Sequence, residues 1–145
     1  MIEKNPNNNL QDIHEFKIRF NETDPLGIVW HGHYITYLED GRESFGKKYA
    51  GISYQDILNA GVYAPIVKCT CDYKKSLKFG DTGFVETRFI NNPAAKMIFH
   101  YTIRNQHDEI IATAETIQVF TDLNGELLLL NPSFFEKWKE KWGQI

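Results

Sequence analysis

A carboxylate, a turn and two imidazoles fall within the ten residues Asp24-Pro25-Leu26-Gly27-Ile28-Val29-Trp30-His31-Gly32-His33. The segment leads from a strand-like stretch into a helix-like one, so Asp24 lies near unpaired backbone N–H groups and the positive end of a helix dipole. That pairing suits attack on a carbonyl: the carboxylate activates water or attacks directly, and the N–H donors hold the developing oxyanion. Asp24-Pro25 by itself also reads as an ordinary turn. The pair His31 and His33 raises the question of a metal, but two imidazoles without a defined third ligand do not make a site. Cys69 and Cys71 lack the C-x-x-C spacing of redox motifs, and none of His14, His31, His33, His100 and His107 stands at a zinc-finger spacing from them. Both read as reduced thiols on one side of a strand, and neither a metal nor a redox cofactor is expected.

The run Thr23-Asp24-Pro25-Leu26-Gly27-Ile28-Val29-Trp30, followed by His31, Tyr34, Tyr37, Leu38, Glu39 and Arg42, resembles the 4-hydroxybenzoyl-CoA thioesterase family of hotdog-fold proteins. It also resembles that family's acyl-CoA thioesterases associated with the Tol-Pal envelope system. The likeness continues through Pro65, Tyr73, Gly80 and Asp81, and so covers about residues 13–122. It implies that Asp24 stands at the catalytic aspartate, as nucleophile or general base toward a thioester carbonyl. The backbone N–H of His31 stands at the carbonyl-polarising donor, and the His31 side chain at a histidine that assists catalysis in the Tol-Pal-type branch. Gly27, Trp30, His33, Tyr34 and Tyr73 fall at positions implied to contact substrate. Two residues depart from the pattern: Phe20 stands where that branch often has a tyrosine, and His33 where an asparagine is common. Glu39 is a reserve carboxylate, since some hotdog enzymes place theirs on the long helix; the plainer reading pairs it with Arg42 on the helix surface. The resemblance further implies a homodimer or homotetramer with the active site between subunits.

Coenzyme A is strongly anionic, whereas this chain has 16 basic and 19 acidic residues and a formal net charge of −3. That balance gives no overall attraction to nucleic acid, and a CoA substrate needs cations placed locally. Lys74, Lys75 and Lys78 cluster near one strand end, with Arg88, Lys96 and Arg104 on neighbouring strands; Lys74, Lys75 and Arg88 are the first candidates for the phosphates. The leading expectation is an acyl-CoA thioesterase. Alternatives are an acyl-carrier-protein thioesterase, in which the basic patch meets an acidic protein, and a non-catalytic acyl-thioester binding module. No apolar run approaches the roughly 20 residues that span a bilayer, and no secretion signal is evident, so a cytoplasmic location is expected.

These residues need elements to hold them. The 145 residues suit one domain, with a polar, Asn-rich tail over residues 1–11 and a single hotdog domain over 12–145. Alternation of Phe16, Ile18 and Phe20 predicts a strand over Glu15–Asn21. Helical spacing of Tyr34, Tyr37, Leu38, Gly41, Phe45 and Tyr49 predicts a long helix from about His33, with Gly41 on its apolar stripe where another backbone approaches closely. Ser53 caps a second, short helix to Asn59. Strands follow at about Val62–Leu77, Gly83–Asn91, Lys96–Asn105 and Glu109–Thr121, joined by turns short enough for an antiparallel meander. Glu126–Leu130 offers a short extension, and Pro132 opens a terminal helix with Phe135, Trp138 and Trp142 on one side. The fold class is therefore α+β, an antiparallel sheet wrapped around one long helix.

Overall fold

A computed structural model describes residues 9–145. Five antiparallel strands, β1 (Gln11–Lys17), β2 (Ile66–Tyr73), β3 (Thr82–Ile90), β4 (Lys96–Asn105) and β5 (Ile110–Val119), form one sheet in the order β1-β3-β4-β5-β2. Helix α1 (His33–Lys48) lies across one face, followed by the short α2 (Tyr54–Asn59), and α3 (Ser133–Lys141) ends the chain. This is the expected α+β hotdog arrangement. Only β3, β4 and β5 are a meander, however. The chain crosses from β2 to β3 without pairing them, and β2 instead joins β5, from Ile66 opposite Gln118 to Tyr73 opposite Ala112. β2 is thus an edge strand.

The first strand lies four residues earlier than its apolar alternation predicts. Phe16 and Ile18 are buried to different degrees against the core, but Phe20 belongs to a one-turn helix, Phe20–Glu22, and is 78% exposed. The sheet register reaches back instead through Asp12 and His14, whose polarity disguises a strand face turned toward α1: Ser44 donates to Asp12 Oδ2 at 2.6 Å. The expected tail lies outside the described residues over 1–8; Leu10 packs on the core and Gln11 already belongs to β1.

The alternation of β3 turns Val85, Thr87 and Phe89 inward, where they meet Leu38 and Phe45 of α1 together with Phe99, Tyr101 and Ile103 of β4. Each fully buried Leu or Phe contributes roughly 1.5–3 kcal/mol. Gly41 sits where the helix comes closest to the sheet. A Cβ there would lie 2.7 Å from Thr87 Oγ1 and 2.9 Å from Val85 Cγ2. Ser53 caps α2 through its bond from the Asp56 N–H, and Asp56 returns a bond to the Ser53 N–H. Pro132 is the cap of α3 rather than its first turn. From α3, Phe135 and Trp138 fill the sheet end beside Phe89, and Trp138 Nε1 donates to the Tyr49 carbonyl at 2.7 Å, fixing the far end of α1. Glu126–Leu130 makes no strand of its own beyond an isolated bridge from Leu127 to Thr121.

Candidate active site

The start of α1 is positioned by a tight hairpin. Asp24 accepts the Gly27 N–H on its carbonyl at 2.9 Å and the Leu26 N–H on Oδ1 at 2.8 Å, while its own N–H donates to the Ile28 carbonyl at 2.8 Å. Asp, Pro and Gly occupy the turn positions that favour each of them, with Gly27 at φ +78°. Thr23 then pairs with Val29, and the Trp30 N–H donates to the Glu22 carbonyl at 3.0 Å. These bonds tie Asp24 to the residues immediately before the helix. Val29 is buried and its N–H donates to the Leu77 carbonyl, so the hairpin packs as it turns.

At the helix start the first turns are tight: the His33 N–H donates to the Trp30 carbonyl and the Tyr34 N–H to the His31 carbonyl. Among the described residues, the His31 N–H has no acceptor. Trp30 folds its indole back over Gly32, where a Cβ would lie 2.1 Å from the ring, and touches both imidazoles, with centroids 5.0 Å from His31 and 5.5 Å from His33. Tyr73, from the end of β2, donates to the His31 carbonyl at 3.1 Å, and its ring meets that of Tyr34 at 5.3 Å. Tyr34 in turn accepts the Leu77 N–H at 3.0 Å. Burial pushes the Tyr34 and Tyr73 hydroxyls up, so both remain neutral hydrogen-bonding groups at neutral pH.

Of the ten residues offered for the site, Trp30, His31, His33, Tyr34 and Tyr73 meet at this end of α1; Asp24 and Gly27 form the turn of the hairpin before it, and Lys74 follows Tyr73 in the chain. Lys75 is close by in sequence but ion-paired to Glu109. Arg88 does not join them. It alternates with the inward Thr87 and Phe89, so it lies on the sheet face away from α1, where Nη1 donates to Glu86 at 3.1 Å and to Thr102 at 3.3 Å. The surface pairing of Glu39 with Arg42 is also absent: Arg42 turns inward and donates to the Tyr101 hydroxyl at 3.2 Å, which meets Thr116 Oγ1 at 2.6 Å. Phe20, at the position of the missing hydroxyl, instead packs edge-on against Phe79 at the surface. Among the described residues no group of three or more His, Cys, Asp or Glu side chains is gathered as a metal would need.

Below the helix start, single side chains of the edge strand β2 reach toward α1, whose own packing is on β1 and β3. Tyr73 stands beside His31, Cys71 interacts with Tyr73 and Tyr34, and Cys69 lies within the fields of Arg42 and Glu39. Both cysteines are free and share one face, as their spacing predicts; burial pushes both thiols up, so that wall is uncharged at neutral pH. Elsewhere on α1 a cavity of about 440 Å³ opens between α1, α2 and the sheet. Its wall includes Glu39, Arg42, Ile57, Met97, Phe99 and Gln118. Gln118 was not anticipated, and no local signal marks it, because its partner, the Ala64 carbonyl, is remote in sequence.

Residues 18–139 match the Thioesterase-like superfamily. The chain belongs to that superfamily. It is 33% identical over 108 residues to the Bacillus subtilis (strain 168) protein YneP, provisionally named an acyl-CoA thioesterase, covering 74% of this chain and 78% of that protein. The DHNA-CoA thioesterase from Staphylococcus aureus superposes with a TM-score of 0.83 at 27% identity, over 92% of this chain and 89% of that one. A 4-hydroxybenzoyl CoA thioesterase shares the fold alone, with a TM-score of 0.75 at 19% identity over 88% of this chain and 97% of that one. The resemblance drawn from the Asp24–Tyr34 motif thus leads to the right superfamily and fold. Among the described residues no helix is long and apolar enough to cross a membrane.

Proposed function

We propose that the protein is an acyl-CoA thioesterase with Asp24 as the catalytic carboxylate and the His31 N–H as the oxyanion donor. The observation that carries this reading is their common support: one hairpin fixes Asp24 by its own hydrogen bonds and delivers the open His31 N–H at the start of α1. A thioester carbonyl polarised by that N–H is attacked either by Asp24 itself, forming an anhydride that water then opens, or by water that Asp24 deprotonates. In both routes the C–S bond breaks, the CoA thiolate leaves and takes up a proton, and the acyl group departs as the free acid. Trp30 and Tyr73 flank the reacting centre, and the His31 imidazole assists from beside them. Lys74 and Lys75 are the cations assigned to the CoA phosphates; Arg88, engaged with Glu86 on the other sheet face, is assigned no part. The functional unit is proposed to be a homodimer or a homotetramer built from dimers, formed through the open edge of β2.

The test is hydrolysis of short, long and aromatic acyl-CoAs, read as released thiol, at rising salt. KM for acyl-CoA should increase as exposed phosphate contacts are screened, over a Debye length of roughly 8 Å at physiological ionic strength. A short thioester lacking the nucleotide should respond much less. Equal salt dependence removes the phosphate-binding assignment, and turnover confined to acyl groups on acyl carrier protein transfers the reading to that substrate. Light scattering at micromolar concentration tests the assembly, and a fully active monomer refutes it.

A further inference from the structure

An N–H that must stay open for a substrate cannot be steered by a hydrogen bond of its own, so its direction comes from the groups on either side. The peptide joining Trp30 to His31 is trans and planar, and its carbonyl accepts the His33 N–H at 3.0 Å. That bond turns the His31 N–H the opposite way, out of the start of α1. Beyond it the turn is held loosely by its own residues. The next carbonyl, that of His31, accepts the Tyr34 N–H at 3.4 Å, longer than the usual range for such bonds. Gly32, of the most permissive residue type, follows, and α1 has no capping side chain.

Tyr73 supplies the missing restraint from the end of β2. Its hydroxyl donates to the His31 carbonyl at 3.1 Å. The phenol is itself firmly mounted. On one side the strand ends against β5, where the Lys74 and Lys75 N–H groups both donate to the Ile111 carbonyl, at 2.8 and 3.1 Å. On the other, the Leu77 N–H donates to the buried Tyr34 hydroxyl at 3.0 Å, and the Tyr34 and Tyr73 rings meet edge to face at 5.3 Å. The sequence resemblance implies a contact of Tyr73 with substrate, but a phenol has one proton, and here it lies on the His31 carbonyl. Resting on the thioesterase reading, we infer that Tyr73 is a positioning residue: its hydroxyl pins the His31 peptide and so holds the oxyanion N–H in place as charge develops on the thioester carbonyl.

The test is Tyr73→Phe, which keeps the ring and removes the hydroxyl; Tyr73 is 47% exposed, so the core is left intact. With the fastest of acetyl-CoA, octanoyl-CoA and benzoyl-CoA, kcat should fall about tenfold or more, since loss of a whole oxyanion donor costs about 10²–10³ and a misplacement of about 1 Å about 10². KM should stay within about twofold, because no substrate contact is removed. A raised KM with kcat unchanged makes the hydroxyl a substrate-binding group, and no change in either leaves it without a part; both overturn the proposal. The carbonyl stretch of the same acyl-CoA, isotopically labelled at that carbon and bound to Asp24→Asn, reads polarisation directly. Adding Tyr73→Phe should move the band back toward its position in free solution, and an unmoved band overturns the proposal. If wild type hydrolyses no acyl-CoA, the thioesterase reading falls separately, and nitrogen relaxation of the ligand-free protein decides the tether. The His31 and Gly32 amides should match the rigid backbone in wild type, with order parameters of about 0.85, and fall by about 0.1 or more in Tyr73→Phe. Equal values in the two proteins, or a His31 amide already mobile in wild type, overturn it.

Discussion

The structure gives Asp24 one task and the proposed chemistry gives it a second, and two substitutions separate them. Its Oδ1 accepts the Leu26 N–H at 2.8 Å and so closes the turn; its charge is what the proposed chemistry requires. Asp24→Asn keeps an oxygen in the same place, so the turn survives while the base or nucleophile is lost. The expected loss in kcat/KM is at least about a hundredfold, the lower end for a positioned acid–base group, or about 2.7 kcal/mol of barrier. The midpoint of thermal unfolding should stay close to wild type. Asp24→Ala removes the turn bond as well, a further cost of about 0.5–1.5 kcal/mol in stability. At roughly 2–4 °C per kcal/mol for a chain of this size, its midpoint should fall by about 1–6 °C with no greater loss of activity than Asp24→Asn. Thiol release and thermal denaturation on the same preparations give both numbers. An Asp24→Asn protein with full activity refutes the catalytic assignment. Activity lost only in step with stability across the two variants leaves Asp24 as a turn residue and nothing more.

His31→Ala should slow hydrolysis less than Asp24→Asn, because the backbone N–H assigned to the oxyanion remains; an equal or larger loss would make the imidazole the principal group. Gly41→Ala should lower the unfolding midpoint although alanine is the better helix former by about 1 kcal/mol, since the new Cβ overlaps Thr87 and Val85 and overpacking costs about 1–3 kcal/mol; a raised midpoint would show that α1 is free to lift. For Glu86, burial pushes the carboxyl up, but hydrogen bonds from Arg88 and Arg104 prevail and hold it below the usual carboxylate range. A depressed folded value stabilises the protein above the unfolded pKa, about 4.3, and that contribution is lost as pH falls through the folded value. Wild type should therefore exceed Glu86→Gln in unfolding midpoint near neutral pH, with the gap closing in acid; a gap independent of pH refutes the pairing.

How much of this was legible in the sequence depended on how local the cause was. The cap at Ser53, the close approach at Gly41, the buried stripe of α1 and the turn at Asp24-Pro25 are set by residues within a few positions of each other, and the structure has each of them. The position of β1 was misjudged because Asp12 and His14 are polar yet line the face toward α1, where Ser44 satisfies Asp12, while apolar Phe20 is left outside. Burial pattern alone could not separate a strand face with a polar partner from an exposed one. The pairing of β2 with β5 was hidden for a different reason: short turns fix the neighbours of a meander, but nothing in the alternation of β2 says which edge it joins. Arg88 illustrates the period-two rule at its sharpest, since one residue's displacement separates the inner face of Thr87 from the outer face on which Arg88 meets Glu86.

The same contrast orders the site. Asp24 and the His31 N–H are held by short-range bonds within one hairpin, so the sequence motif is enough to specify them. What surrounds them is a property of the packed molecule. The edge strand β2 reaches its place beside the helix start only through β5, and Gln118 meets the Ala64 carbonyl across the sheet end. The hairpin and the sheet around it are therefore encoded at different ranges along the chain. On the proposed reading, Asp24→Asn should slow every thioester alike, and a loss confined to one acyl group would assign Asp24 to substrate selection instead.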